Sequence, residues 1–121
     1  MNSSSLYAFY GSLRRGMSNY ERYKAGLEFL YEEQIRGYHL YQMEHYPYAV
    51  KTNQEEDVIL VEVFKITDSR TEKAIHDLEI SVGYYYDEVE IRGQSVGIYL
   101  FRKAGSESLV KDGDWVKFYG S

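Results

Sequence analysis

The stretch Leu6-Tyr7-Ala8-Phe9-Tyr10-Gly11-Ser12-Leu13 constrains this chain more than any other. A short apolar and aromatic run reads as a buried strand, and Gly11-Ser12 forces the chain to turn where the run ends. Gly11 has no side chain, so a ligand can approach the backbone there. Successive backbone N–H groups at a strand end form a concavity suited to an anion such as a carboxylate. Taken alone, Gly-Ser after a strand also fits an ordinary turn.

The remaining pattern is one of strands with few helices. Ser18 and Glu21 have capping-box spacing, so a helix is expected from Ser18, with Tyr23, Leu27 and Leu30 as its apolar stripe. Glu32 to Met43 reads as one strand, with Ile35 through Tyr41 at its centre. Glu44 to Pro47 is a turn, and Tyr46-Pro47 is expected in the trans form. Asn53 to Asp57 is an acidic solvated loop, and Val58 to Ile66 an apolar strand interrupted by Glu62. Ser69 and Glu72 repeat the capping-box spacing and open a second helix that ends near Ser81 to Gly83, with Ala74, Ile75 and Leu78 facing the core. Tyr84 to Ile91 and Ser95 to Arg102 are strands joined by a turn at Arg92-Gly93-Gln94. Trp115 to Tyr119 is a last apolar segment of either type. No repeat or linker divides residues 1–121, which read as one domain of the α+β class.

Composition excludes several classes of function. A net charge of −5 lacks the cationic stripe that nucleic acid requires, so no nucleic-acid partner is expected. No apolar run is long enough to span a membrane, and Met1 to Ser5 is too short and polar for a signal sequence, which implies a cytoplasmic protein. The absence of cysteine removes disulfides, thiolate metal sites and a Cys nucleophile. His39, His45 and His76 lack ligand spacing, so no metal or other cofactor is expected. The 14 tyrosines fit a β-rich core whose interior or pocket is partly polar, since tyrosine tends to bury its ring and pair its hydroxyl. Arg14 and Arg15 read as solvated or paired.

Set beside Ile75-His76-Asp77-Leu78-Glu79, the Tyr10-Gly11-Ser12-Leu13 turn resembles the gamma-glutamylcyclotransferase-like (AIG2-like) family, in its small bacterial branch. Gly37-Tyr38-His39-Leu40-Tyr41, His45 to Val50, Tyr85 and Gly113-Asp114-Trp115 follow in the family's order. The resemblance implies that the strands curl into a small mixed β-barrel flanked by a few short helices. It also implies a reaction, in which the free α-amino group of a γ-glutamyl amine or amino acid attacks its own γ-carbonyl. The products would be 5-oxoproline and the released amine, with no cofactor, from a monomer or homodimer.

Glu79 is then the expected catalytic group. It lies four residues after Ile75 on the inward flank of its helix, at the end where the dipole disfavours a carboxylate. A partly buried carboxyl has a raised pKa and makes a better base near neutral pH. Tyr10, Gly11, Ser12 and Leu13 are the expected substrate-binding backbone, with Tyr85, Tyr46 and Pro47 lining the same site. Nothing pairs Ser12 with a base, so it is a turn residue and not a nucleophile. His76 stands where the family usually has Asp and reads as a helix-surface residue. Other departures are Asp87 for a frequent Arg, Ile80 for Gly, Val61 for Gly and Gly97 for Trp; Asp87 would reverse the charge near the site. These departures keep a second reading open, a non-catalytic small-molecule binding or regulatory protein on the same fold.

Overall fold

The apolar run at the start of the chain is strand β1 (Leu6–Phe9), and all its residues are buried because strands cover it on both sides. The computed structural model describes residues 4–119; residues 1–3, part of the short polar stretch Met1 to Ser5, and residues 120–121 lie outside the described residues. After β1 come α1 (Ser18–Tyr23), a 3₁₀ turn at Lys24–Gly26, β2 (Leu27–Arg36), β3 (Tyr38–Gln42) and β4 (Pro47–Lys51). Then follow β5 (Val58–Ile66), α2 (Ser69–Ser81), β6 (Tyr85–Ile91), β7 (Gln94–Leu100) and α3 (Trp115–Tyr119).

These strands form a five-stranded sheet in the order β2-β5-β1-β7-β6 and a separate β3-β4 ribbon. β1 runs antiparallel to β5 and parallel to β7, so the mixed α+β class holds. The sheet is not closed into a barrel, because its outer strands β2 and β6 do not pair. It curls without closing. Arg92, in the left-handed turn between β6 and β7, reaches back to β2, its Nε 2.9 Å from the Glu33 carboxylate. The same guanidinium lies 3.7 Å from the centroid of the Tyr31 ring. The ribbon joins the sheet through the Phe101 N–H, which donates to the Ala49 carbonyl at 2.9 Å.

Several local expectations need correction. The expected strand from Glu32 to Met43 is broken at Gly37, whose φ of 89° turns β2 into β3. β2 in turn starts at Leu27, so α1 is short and Leu27 and Leu30 belong to a strand rather than to a helical stripe. Neither capping box forms as expected. Met17 precedes α1 without a side-chain cap; the Ser12 carbonyl takes the N–H groups of Asn19 and Tyr20 instead. Asp68, not Ser69, caps α2, its Oδ1 accepting from the Thr71 N–H at 2.8 Å. Ala74 is exposed, and Ile75 is the buried residue of that helix. The peptide bond before Pro47 is trans, as are all the others described.

Two features of the sequence, the charge within the apolar β5 run and the departure at Gly97, are explained by packing. Glu62 sits in the buried centre of β5 because Arg14 Nε donates to it at 2.9 Å while Arg14 Nη1 reaches Asp114 at 2.7 Å. Arg14 is thus paired and 4% exposed, and it ties the loop after β1 to the C-terminal segment. Gly97 leaves the room that the Tyr7 and Tyr86 rings occupy: a Cβ there would lie 2.8–2.9 Å from both. Since Tyr7 is fully buried and cannot retreat, Gly97→Ala is expected to destabilise the fold by about 1–3 kcal/mol, the usual cost of overpacking. Urea denaturation with an unchanged slope is the check.

Candidate active site

The loop that leaves β1 and the end of α2 face each other across a cavity of about 220 Å³. Tyr10, Gly11, Ser12 and Leu13 line it, and so do Tyr46, Pro47 and Glu79. Tyr85 does not. It lies on the opposite face of β6, where Arg102 covers its ring at 4.3 Å, and the cavity wall takes Tyr84 instead. The helix end decides this register. The N–H groups of Val82, Gly83 and Tyr84 donate back to the carbonyls of Leu78, Ile80 and Glu79, turning the chain so that Tyr84 points inward. The Tyr84 hydroxyl is fixed by donating to the Pro47 carbonyl at 2.5 Å.

Gly11 is required for a reason other than ligand approach. A Cβ there would lie 2.7 Å from Cδ of Pro47, so the proline ring already covers that face and seals one side of the cavity. The N–H groups of Gly11, Ser12 and Leu13 donate to no acceptor among the described residues. Gly11 and Leu13 are buried, so three successive donors are held in place at the cavity. Such an array suits an anion. Asn19 Nδ2 donates to Ser12 Oγ at 2.9 Å, which leaves the hydroxyl proton of Ser12 free to donate. Unpaired buried donors are costly, and a site that needs them is the usual explanation.

Opposite these donors stands Glu79. Its half-buried side chain accepts no hydrogen bond and meets no cation among the described residues. Burial pushes its carboxyl from an ordinary 4.5 up to about 8. The negative end of α2 acts in the same direction. Around it are tyrosines whose hydroxyls burial holds above their ordinary range. Tyr10 donates to the Tyr99 carbonyl at 2.5 Å and accepts from the Ala49 N–H at 3.1 Å. Tyr99, also in the wall, meets His76 Nδ1 at 2.8 Å. His76 is therefore half-buried behind the cavity rather than a plain surface residue. Asp87 is away from the cavity, paired with Lys51 at 3.2 Å, so it reverses no charge there.

The raised pKa of Glu79 has a stability consequence with a definite sign. Between about pH 4.5 and 8 the folded protein keeps a proton on Glu79 that the unfolded chain releases. The contribution of this group is fully present below pH 4.5 and is lost as pH rises through about 8. Glu79→Gln should therefore melt with the wild type at low pH and above it at pH 9. A relief of only 1 kcal/mol raises the midpoint by about 3–6 °C in a domain of this size. Equal melting at both pH values would contradict the burial of an ionisable Glu79.

Sequence comparison places this geometry in a known lineage. A match to the family described as gamma-glutamyl cyclotransferase, AIG2-like, spans residues 7–117. The chain belongs to this family. A relative from Pyrococcus horikoshii, named "Putative gamma-glutamylcyclotransferase PH0828", is 34% identical over 89% of this chain and 88% of its own length. The crystal structure of PH0828 superposes with a TM-score of 0.80, covering 96% of this chain and 93% of that one at 33% identity. The solution structure of ytfP from Escherichia coli gives 0.73 over 94% and 98% at 26% identity. A uropathogenic E. coli-specific protein, c4763, shares the fold with a TM-score of 0.78 over 96% and 95% at 22% identity.

Among the described residues no helix is long and apolar enough to cross a membrane, and no three His, Asp or Glu side chains are placed to hold a metal ion. Sequence reasoning missed Tyr84, Tyr99, Asn19, Leu78 and Val82 as wall residues. Alternation along β6 was the available signal for Tyr84, since Tyr84 and Tyr86 share one face and Tyr85 takes the other.

Proposed function

We propose that this protein is a gamma-glutamylcyclotransferase that converts a small γ-glutamyl compound to 5-oxoproline and a free amine. The observation that carries this reading is the pairing, in one cavity, of an unpartnered carboxyl titrating near 8 with three free backbone donors. The substrate head group has one carboxylate and one ammonium. Its carboxylate suits the N–H groups of Gly11, Ser12 and Leu13, and its ammonium suits Glu79.

Docking the ammonium beside Glu79 draws the carboxyl towards its ionised form, since an opposite charge favours it. Glu79 then removes a proton from the ammonium, and the resulting amine attacks the γ-carbonyl carbon. The new C–N bond closes the five-membered ring, and the carbonyl oxygen takes the negative charge, with the Ser12 hydroxyl in reach as a donor. As the oxyanion collapses, the amide C–N bond breaks and the leaving nitrogen takes the proton from Glu79. The ring nitrogen gives its remaining extra proton to the Glu79 carboxylate so freed, leaving the lactam N–H of 5-oxoproline and a neutral amine. A base with a pKa near that of the amine transfers protons in both directions efficiently. Pro47 and Tyr84 hold the chain folded for ring closure, which replaces an entropic cost otherwise met in solution. No step calls for a metal or organic cofactor.

The test is incubation of the purified protein with γ-glutamyl amines, γ-glutamyl amino acids and glutathione, measuring 5-oxoproline. Product from at least one compound is expected. Binding without product across the whole panel would overturn the cyclotransferase reading in favour of a small-molecule binding protein.

A further inference from the structure

We propose that His76 is a positioning residue, which holds the hydroxyl proton of Tyr99 away from Glu79 and so keeps the base of the cavity free of hydrogen bonds. The catalytic consequence rests on the cyclotransferase reading. His76 and Glu79 lie three residues apart on α2, so they share one face of the helix. β7 brings Tyr99 to that face. Beyond burial, the charge of Glu79 helps hold up the hydroxyls of Tyr10, Tyr84 and Tyr99, so all three stand near it. None of them donates to it. Tyr10 donates to the Tyr99 carbonyl and Tyr84 to the Pro47 carbonyl, both at 2.5 Å. Tyr99 meets His76 Nδ1 at 2.8 Å. Two of these acceptors are backbone, and His76 is the side chain on which the arrangement depends.

The Tyr99 ring is buried and stacks on Tyr7, with centroids 6.2 Å apart and planes 3° from parallel. The ring is thus held in place, and the hydroxyl proton is the part that can turn. This hydroxyl has no other acceptor among the described residues, so it donates and Nδ1 accepts, which leaves the His76 proton on Nε2. Without His76 the proton would turn to a carboxylate. After burial, three carboxylates act on the hydroxyl, Glu79 more strongly than Glu72 or Asp77. Glu72 already accepts from Ser5 at 3.0 Å and from Tyr7 at 2.5 Å, and Asp77 takes Lys73 at 2.7 Å. The neighbouring Tyr86 hydroxyl donates to Glu88 at 2.8 Å. Of the three carboxylates, Glu79 alone has no partner among the described residues. A hydrogen bond from Tyr99 would favour its charged form and lower its pKa. The carboxyl would then be a weaker base towards the substrate ammonium.

The experiment is a ¹³C NMR titration of the Glu79 carboxyl in His76→Leu, which removes the acceptor, and in His76→Asn, whose side-chain oxygen can replace Nδ1. In His76→Leu the midpoint should fall by about 1 to 2 pH units, the strength of one hydrogen bond to a charged group. His76→Asn should return it towards the wild-type value of about 8. Adding Tyr99→Phe to His76→Leu should do the same, since the freed proton is then gone. The rising limb of kcat/KM against pH should move with the midpoint in each variant. A loss of packing alone would not be reversed by removing the Tyr99 hydroxyl. His76→Met repeats the test should the leucine variant fold poorly. A midpoint that does not fall in these variants overturns the inference, and so does a fall that Tyr99→Phe leaves in place. Absence of 5-oxoproline from every substrate overturns the cyclotransferase reading instead, and the titration still decides the role of His76.

Discussion

Replacing Glu79 with glutamine is expected to slow 5-oxoproline formation by about 10²–10⁴-fold, the range typical for loss of a general acid–base group. Glutamine keeps the shape but can neither accept nor return the proton. The loss should fall on kcat, with KM changed far less, because the substrate carboxylate is assigned to the backbone of Gly11, Ser12 and Leu13 on the other side of the cavity. Folding should hold or improve, since the variant removes a carboxyl that burial already disfavours. Turnover equal to the wild type would take Glu79 out of the chemistry. Steady-state kinetics and thermal melts of the same preparation separate lost chemistry from lost fold.

Arg14→Met is expected to have the largest effect on stability. Arg14 is 4% exposed and Glu62 is 2% exposed, so the variant leaves a buried carboxylate with only the half-exposed Arg15 as a partner. Breaking a buried pair in this way typically costs about 3–5 kcal/mol. Asp114 loses its 2.7 Å contact at the same time, which releases the C-terminal segment from the loop that carries Gly11 to Leu13. The double variant Arg14→Met/Glu62→Leu should recover most of the loss, because it removes the stranded charge as well. Urea denaturation of the single and double variants measures both. A single variant as stable as the wild type would show that the cluster contributes nothing to the fold.

Much of the fold was legible because short apolar runs are read without knowledge of their neighbours. Leu6 to Phe9 and Val58 to Ile66 stand where the sequence pattern puts them, since both are buried on two faces. The division of β2 from β3 was not legible. It depends on Gly37 adopting a positive φ, and a glycine within an apolar stretch does not announce its own conformation. The α2 cap differs by one residue because Asp68 and Ser69 are both good caps, and the choice falls to the bond Asp68 makes with Thr71.

The candidate site was legible where a motif fixes backbone, at Tyr10 to Leu13, and where helical spacing fixes a face, at Glu79. Tyr85 was misplaced by one residue. Three tyrosines follow the helix in succession, and the helix-closing bonds to Leu78, Ile80 and Glu79 decide which of them faces inward. The link from His76 to Tyr99 could not be read at all, because it joins α2 to β7 across 23 residues of chain. The roles of Gly97 and Arg14 were hidden for the same reason, since each is explained by partners distant in sequence.

Proton transfer by Glu79 requires a carboxyl that titrates close to neutral pH, and ¹³C NMR of the side-chain carboxyl groups reads this without any substrate. The Glu79 signal is assigned by its loss in Glu79→Gln and followed from pH 3 to 10. A midpoint near 8 is the expected result. A midpoint near 4.5, the ordinary value for glutamate, would mean that the carboxyl is solvated and would contradict its role as the base of the cavity.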